Sequence, residues 1–398
     1  MGRVHLVARA VAAGGDAIAR DADGRVVLVE GALPGEGVVA ELVEEKRDYA
    51  RARVVEVVSS SPGRVAPPCS GVAAGCGGCQ WQHVEPAWQA RLKRDIVVDA
   101  LHRIARLADP PVASEVPAVP AWGHRTTLRL AVEDGRAVYR ERRGRRPVVP
   151  EQCPVAHARL EELVVDGRFG QAAEVVLRVS EATGERLVVA RPTAAGVDVP
   201  ADVLVVGADE RPRLRRAAVT EEVAGRRWRV SAESFFQSGP AAAELLVSAV
   251  RAAAGAAAGG TVVDAYAGIG LLGGSLPGVG RLLAVERHPS AVRDARHNLA
   301  DLPAEVVQAE VAAWRAPSSA AVDLVVADPA RPGLGGAASA ALAAAGAARF
   351  VLVSCDPASL ARDVRLLDGH GYALTGVQVL DLFPHTFHVE AVARFDAR

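Results

Sequence analysis

Thr261-Val262-Val263-Asp264-Ala265-Tyr266-Ala267-Gly268-Ile269-Gly270 reads as a short β-branched strand, an acid near its end and a Gly-x-Gly turn that opens a helix. A strand delivered into such a turn begins a βαβ unit. Around it, alanine-rich helical runs alternate with further short strands: Leu282 to Val285, Val306-Val307, Leu324 to Val326 and Phe350 to Val353. That alternation predicts a doubly wound, mainly parallel sheet. Thr375 to Leu380 and Val389 to Phe395 follow with Pro384 between them and no room for a crossover helix. These two strands must run antiparallel to each other. Residues 231–398 are therefore expected to form one α/β Rossmann-like unit whose parallel sheet is closed by one reversed strand.

Taken literally, Gly268-x-Gly270-x-x-Gly273 fits a dinucleotide fingerprint. Two features argue against a nicotinamide cofactor. In that fingerprint the first glycine follows the strand at once, whereas Asp264 to Ala267 intervene here, and an acid at the strand end repels a pyrophosphate. The same acid suits the ammonium of a methionine moiety. Glu286 ends the next strand, where a carboxylate can accept ribose hydroxyls. Asp328-Pro329-Ala330-Arg331-Pro332-Gly333 closes another strand at the same edge.

Phe350 to Val353 lead into Ser354-Cys355-Asp356-Pro357, which sets Cys355 on the carboxyl lip of the sheet, and Ser359 to Leu367 reads as a helix. A helix N-terminus just after a thiol is expected to lower its pKa and favour the thiolate. On this segment alone, a small buried structural cysteine is the competing reading.

The rest of the chain sets the context. Its 398 residues suffice for two or three domains, and a net charge of −1 provides no global basic field. No run approaches the roughly eighteen uninterrupted apolar residues of a membrane span, and the first residues lack the apolar core of a signal peptide. A soluble cytoplasmic protein is expected. The basic residues are nearly all arginine, with Lys46 and Lys93 the only lysines.

Residues 1–60 hold five short alternating runs (Val4 to Val7, Ala17 to Arg20, Val26 to Val29, Val38 to Val43, Ala52 to Val58) separated by Gly-rich turns. They suit a small closed barrel such as an OB fold, a common nucleic-acid platform, or an unliganded barrel of the same size. Beyond the linker Ser59 to Gly63, Cys69, Cys76 and Cys79 lie within eleven residues, and Cys153-Pro154 follows much later. Four such thiols suit tetrahedral zinc or an iron–sulfur cluster; the lone fourth thiol before a proline favours [4Fe–4S]. Ala87 to Leu107 has helical periodicity, and strands and turns resume from Thr126 to Val230. The arginine clusters 140–146, 211–216 and 226–227 within that stretch offer a phosphate-contacting surface, although each alone is commonly just a solvated face.

Together these motifs resemble the RNA uracil-5-methyltransferase family over nearly the whole chain. Leu33-Pro34-Gly35-Glu36 and Ser61-Pro62-x-Arg64 are similar to a TRAM domain. Cys69, Cys76, Cys79 and Cys153 are similar to the iron–sulfur ligands of its ribosomal-RNA branch. Phe235-Phe236-Gln237, Asp264 to Gly270, Asp328 to Arg331, Ser354 to Pro357 and Phe383-Pro384-His385-Thr386-x-His388-Val389-Glu390 stand in family order. The resemblance implies a class I methyltransferase sheet, an N-terminal OB-like TRAM barrel (1–60), a central β-rich iron–sulfur and RNA-contacting part (61–230) whose helix 87–107 packs on the catalytic part, and a catalytic part (231–398). It implies S-adenosylmethionine and a [4Fe–4S] cluster as cofactors. Cys355 would add to uracil C6, and Glu390 would take the C5 proton. Gln237, Tyr266, Gly268, Gly270, Glu286, Glu310 and Asp328 would line the cofactor site, and Arg125 would lie near the flipped base.

The sequence departs from the family pattern at Leu271 (often Asn), at Glu310 (often Asn or Asp) and after Gln237. The expected partner is structured RNA, most readily 23S rRNA and alternatively tRNA, bound by a monomer without a membrane. A non-catalytic iron–sulfur RNA-binding protein is the competing reading, and retention of Cys355 and Glu390 argues against it.

Overall fold

A computed structural model describes residues 2–317 and 321–398. Met1 and residues 318–320, which fall in the first and last of the expected segments, lie outside the described residues. The last third of the chain builds a seven-stranded sheet in the order Ala304–Gln308, Arg281–Glu286, Thr261–Ala265, Leu324–Ala327, Arg349–Ser354, Glu390–Ala397, Tyr372–Leu380. The first five strands are mutually parallel. Glu390–Ala397 pairs antiparallel with both its neighbours, so it is the one reversed strand, as the sequence predicts.

Strand side chains alternate between faces, and both faces here are apolar. Val262, Leu324, Val326 and Val351 pack with Leu246, Val247 and Val250 of helix Pro240–Ala254. Val263, Val325 and Leu352 pack on the other face with Leu360, Val364 and Leu367 of helix Pro357–Gly369. Pro240–Gly259 is long and apolar enough to cross a membrane, but its buried stripe is spent against the sheet.

Helix Pro86–Arg103 joins the second core through Leu92, Ile96, Val97 and Leu101. Each large apolar side chain buried this way stabilises by about 1.5–3 kcal/mol. Glu85 caps the helix by accepting from the Trp88 N–H. The helix stops short of the predicted Leu107 because Arg106 takes a left-handed φ of 63°.

The N-terminal sheet runs Arg3–Val7, Gly37–Glu45, Tyr49–Ser59, Val26–Glu30, Ala17–Arg20, Ala10–Val11. Its five predicted strands are all present, with Ala10–Val11 as an addition. Glu36 is fully buried and ties the motif together. Its carboxylate accepts from the Leu33 N–H (2.8 Å), the Ser61 N–H (3.2 Å) and the Arg64 guanidinium. A second six-stranded sheet between these two holds Val203–Gly207, Arg186–Arg191, Glu174–Val179, Thr127–Glu133, Arg136–Arg140 and Pro147–Val148. Helix Ala158–Val165 covers it with Leu160, Leu163 and Val164.

Candidate active site

The carboxyl ends of the parallel strands deliver one row of polar groups to one edge. Asp264 lies in its strand beside Ala284 and Val326; Glu286 ends the neighbouring strand; Asp328 and Cys355 each follow the last residue of theirs. The reversed strand brings Glu390 to the same edge from the opposite direction, because Ala391 is in register with Ser354.

The turn after Asp264 has left-handed backbone at Tyr266 (φ 61°), Gly268 (56°) and Gly270 (86°). A Cβ at Gly270 would approach Leu299 to 2.8 Å, whereas one at Gly268 would meet only open space. Glu286 organises this turn, accepting the Gly268 N–H at 3.0 Å and the His288 N–H at 2.6 Å. Asp264 accepts the Gly273 N–H at 2.8 Å with one oxygen, and its other oxygen is buried without a partner. Burial pushes this carboxyl up to about 7, against the pull of the Gly273 bond and with help from the charges of Asp328 and Glu286. The helix that the turn opens is only Leu271–Gly274, and Leu271 is buried in the core. Gln237 is buried, whereas Phe235, two residues before it, is exposed. Glu310 is held by Arg287 (3.1 Å) on the exposed rim.

Cys355 is half-buried on the lip. The helix after it does not depress its pKa as the sequence predicts. Burial, with the charges of Glu390 and Asp328, pushes the thiol up to about 11, against the pull of Arg331. The helix N-terminus is already engaged, since Asp356 caps it by accepting the Ser359 N–H at 2.7 Å. Glu390 is buried, one carboxylate oxygen has no partner, and burial with the Asp328 charge holds it well above the usual carboxylate range. Burial likewise raises Asp328 to about 7. Three acids and a thiol thus share one poorly solvated edge.

Cys69, Cys76, Cys79 and Cys153 are free and line a single small cavity with Arg125 and Tyr139. The Tyr139 hydroxyl lies 3.0 Å from the Cys153 sulfur, and the Gly78 N–H donates to the Cys76 sulfur at 3.4 Å. Burial and mutual repulsion raise Cys76 to about 11. Among the described residues no three His, Cys, Asp or Glu side chains are grouped so as to hold one metal ion. Zinc would draw four sulfurs to within about 2.3 Å of one point, and the thiols do not stand so. Arg125 borders this cavity, and its charge also reaches His388 near the active edge.

The arginines of the cluster 140–146 are partly taken up in ion pairs. Arg140 pairs with Glu133 and Arg146 with Glu141 (3.0 Å) within the central sheet and its hairpin, whereas Arg142 pairs with Asp16 (3.0 Å) and Arg143 with Glu30 (3.2 Å), and these two stitch the first two sheets together. Among the described residues Arg211, Arg215, Arg216 and Arg227 make no ion pair. The sequence motifs assign no role to Gln89 or Lys93 and include His388 only within the run Phe383 to Glu390. Gln89 and Lys93 were detectable as polar residues at i and i+4 on an otherwise apolar helix face.

Residues 8–55 match the TRAM domain family model. The chain is 37% identical to an uncharacterized RNA methyltransferase of Streptomyces avermitilis, over 96% of this chain and 95% of the relative. It is 33% identical to the 23S rRNA (uracil(1939)-C(5))-methyltransferase of Methylococcus capsulatus, over 94% of this chain and 93% of that one. Among solved structures it is similar to the tRNA (uracil-54, C5)-methyltransferase of Pyrococcus abyssi in complex with S-adenosyl-L-homocysteine. That similarity has a TM-score of 0.72 and 25% identity and covers 98% of this chain and 100% of the other. With near full-length coverage, a TRAM segment and a methyltransferase sheet bearing a thiol and a carboxylate at one edge, this chain belongs to the RNA uracil-5-methyltransferase family.

Proposed function

We propose that the protein forms 5-methyluridine in structured RNA, with 23S rRNA as the favoured substrate and tRNA as the alternative. The observation that carries this reading is the approach of Cys355 and Glu390 from oppositely directed strands to one sheet edge. Uracil C5 is too weak a nucleophile to take a methyl group unaided. The Cys355 thiolate adds to C6, and the C5–C6 electron pair moves toward the C4 oxygen, which makes C5 enolate-like. S-adenosylmethionine would supply the electrophilic methyl group, its sulfonium–methyl bond breaking as C5 takes the methyl, with S-adenosylhomocysteine as the leaving group. Glu390 removes the C5 proton, the C5–C6 double bond re-forms, the C6–sulfur bond breaks and the thiolate leaves.

Asp264, Gln237, Tyr266, Gly268, Gly270, Glu286 and Asp328 are assigned to holding the methyl donor, with the unpartnered oxygen of Asp264 available to an ammonium group. Glu310 and Arg125 keep weaker assignments, to the adenine rim and the flipped base. The uridine must leave its stack to reach the thiol, and a monomer suffices for this chemistry.

Residues 1–60, 61–230 and 231–398 are read as an OB-like TRAM barrel, a cluster-bearing RNA-contacting part and the catalytic part. Four free thiols around one cavity, with hydrogen bonds offered to two of their sulfurs, suit a [4Fe–4S] body several ångströms wide better than a single ion. Cys69, Cys76, Cys79 and Cys153 would hold it.

The test is anaerobically purified protein incubated with methyl-labelled S-adenosylmethionine and, separately, unmodified 23S rRNA and bulk tRNA. Label at uracil C5 in the 23S pool, absent with Cys355→Ala, is expected. Label in tRNA alone would select the alternative substrate, and label that survives Cys355→Ala would overturn the mechanism.

A further inference from the structure

Residues 381–389 lead directly into Glu390, and this segment is gripped by a helix that lies outside the methyltransferase sheet. Helix Pro86–Arg103 turns Gln89 and Lys93, both fully buried, toward it. The Gln89 side-chain oxygen accepts the His385 N–H at 2.6 Å. The Gln89 amide nitrogen reaches the Val84 carbonyl (2.7 Å), the Trp81 carbonyl (3.2 Å) and His385 Nδ1 (3.1 Å). The Lys93 ammonium pairs with the Asp381 carboxylate and donates to the Phe383 carbonyl at 2.9 Å. Asp381 in turn accepts the Phe383 N–H at 3.2 Å. The Trp81 N–H donates to the His385 carbonyl at 2.9 Å, and Trp122 stacks on the His385 ring with centroids 4.0 Å apart. His385 itself has a left-handed φ of 64°, a conformation held from several sides at once.

Burying an ammonium is costly even when it is paired, and an apolar pair of similar volume often stabilises a fold as well. Two buried polar side chains on the apolar face of one helix, both spent on one loop, point to positioning. Glu390 has no anchor of its own for one carboxylate oxygen. The strand register with Leu380 sets its backbone, and the held segment sets the direction from which it enters the strand.

We propose that Gln89 and Lys93 are positioning residues for Glu390: by holding residues 381–389 they aim the carboxylate at the C5 proton. This rests on the reading of Glu390 as the base. Deprotonation follows methyl transfer and precedes release of Cys355. Loss of the grip therefore slows release selectively and leaves methylated RNA covalently bound to the protein.

The experiment compares wild type, Glu390→Gln, Gln89→Leu and the double variant Lys93→Met/Asp381→Asn, which removes both buried charges together. Folding is checked by circular dichroism and thermal melting, and S-adenosylmethionine affinity by calorimetry. Turnover and denaturation-resistant protein–RNA adduct are followed with labelled methyl donor. Gln89→Leu and the double variant should bind the methyl donor as wild type does and lose about 10- to 100-fold in kcat. They should also accumulate labelled adduct, as Glu390→Gln does. Wild-type turnover in a folded double variant would overturn the inference, as would slowed turnover without adduct while Glu390→Gln accumulates it. Glu390→Gln that turns over normally and leaves no adduct would instead overturn the reading of the base.

Discussion

Cys355 is surrounded by groups that oppose its ionisation, and this sets how the resting enzyme responds to pH. With the thiol at about 11, the thiolate fraction grows steadily across the neutral and mildly alkaline range. Alkylation of the free protein at Cys355 by iodoacetamide should rise about tenfold per pH unit between about pH 7 and 9 without a plateau. A plateau below pH 8 would mean that the helix dipole wins after all. Glu390→Gln removes one opposing charge and should speed alkylation severalfold at a given pH. Asp264 provides a second titration. Its carboxyl is raised from 3.8 to about 7, so its burial is favourable below the lower value and that contribution is lost as pH rises through about 7. Asp264→Asn, which keeps an acceptor for the Gly273 N–H, should raise the melting temperature of the ligand-free protein at pH 8 by about 2 °C or more and leave it unchanged at pH 4. Equal effects at both pH values would refute the assignment.

Among the elements, the strands of the last third are legible to within a few residues because continuous apolar runs bounded by Gly, Asp and Pro leave few alternatives. Helix Ala158–Val165 and the strands Val203–Gly207 and Ala218–Val223 were not read. Eight residues give barely two turns of periodicity, Val203–Gly207 pairs parallel with the non-adjacent strand Arg186–Arg191, and the apolar alternation of Ala218–Val223 is broken by Glu221 and Glu222 although it forms a tight hairpin with Arg226–Ser231. The Glu36 motif lies between these cases. Leu33 to Glu36 and Ser61 to Arg64 are visible as two fragments, and only folding shows that one buried carboxylate joins them. Although burial alone would raise Glu36, the Arg64 bond and two backbone N–H groups hold its pKa below the usual value. Its stabilising contribution is therefore present above the ordinary carboxylate pKa and lost as pH falls through the depressed value. Glu36→Ala should destabilise the N-terminal sheet by about 3–5 kcal/mol, seen as faster amide exchange across residues 31–64. Unchanged exchange there would show the contacts to be incidental.

At the scale of the whole molecule, the parts are joined by polar contacts that converge near the active edge. Asp16 is 2% exposed and takes Arg51, Arg142 and Arg143 from two sheets. Gly15 lies against Phe387, and its carbonyl accepts the Trp81 indole N–H at 3.1 Å. The hairpin that carries Arg142 bridges to Cys76 through Glu141, with the Gly77 N–H donating to the Arg140 carbonyl at 2.9 Å and the Arg142 N–H to the Gly75 carbonyl at 3.3 Å. If a cluster braces this junction, Cys76→Ser should lower the iron content of anaerobically purified protein, reduce absorbance near 400 nm and shift the product toward aggregates on gel filtration. A soluble, iron-replete variant would speak against the bracing role.

The sequence alone determined the sheet class, the reversed strand and the family. The first two follow from local periodicity, and the third from motifs that stand in family order along nearly the whole chain. Tertiary structure decided the rest, because burial and charge contacts between distant segments are not written in spacing. The same helix start that promised a low thiol pKa is outweighed by burial of the thiol, with two carboxylates arriving from other strands adding to it. Two arginines of the run that resembled an open phosphate face, Arg142 and Arg143, are taken up by acids from another sheet. Lys93, one lysine among many arginines, is a polar blemish on a helix until the fold brings Asp381 and the segment before Glu390 against it.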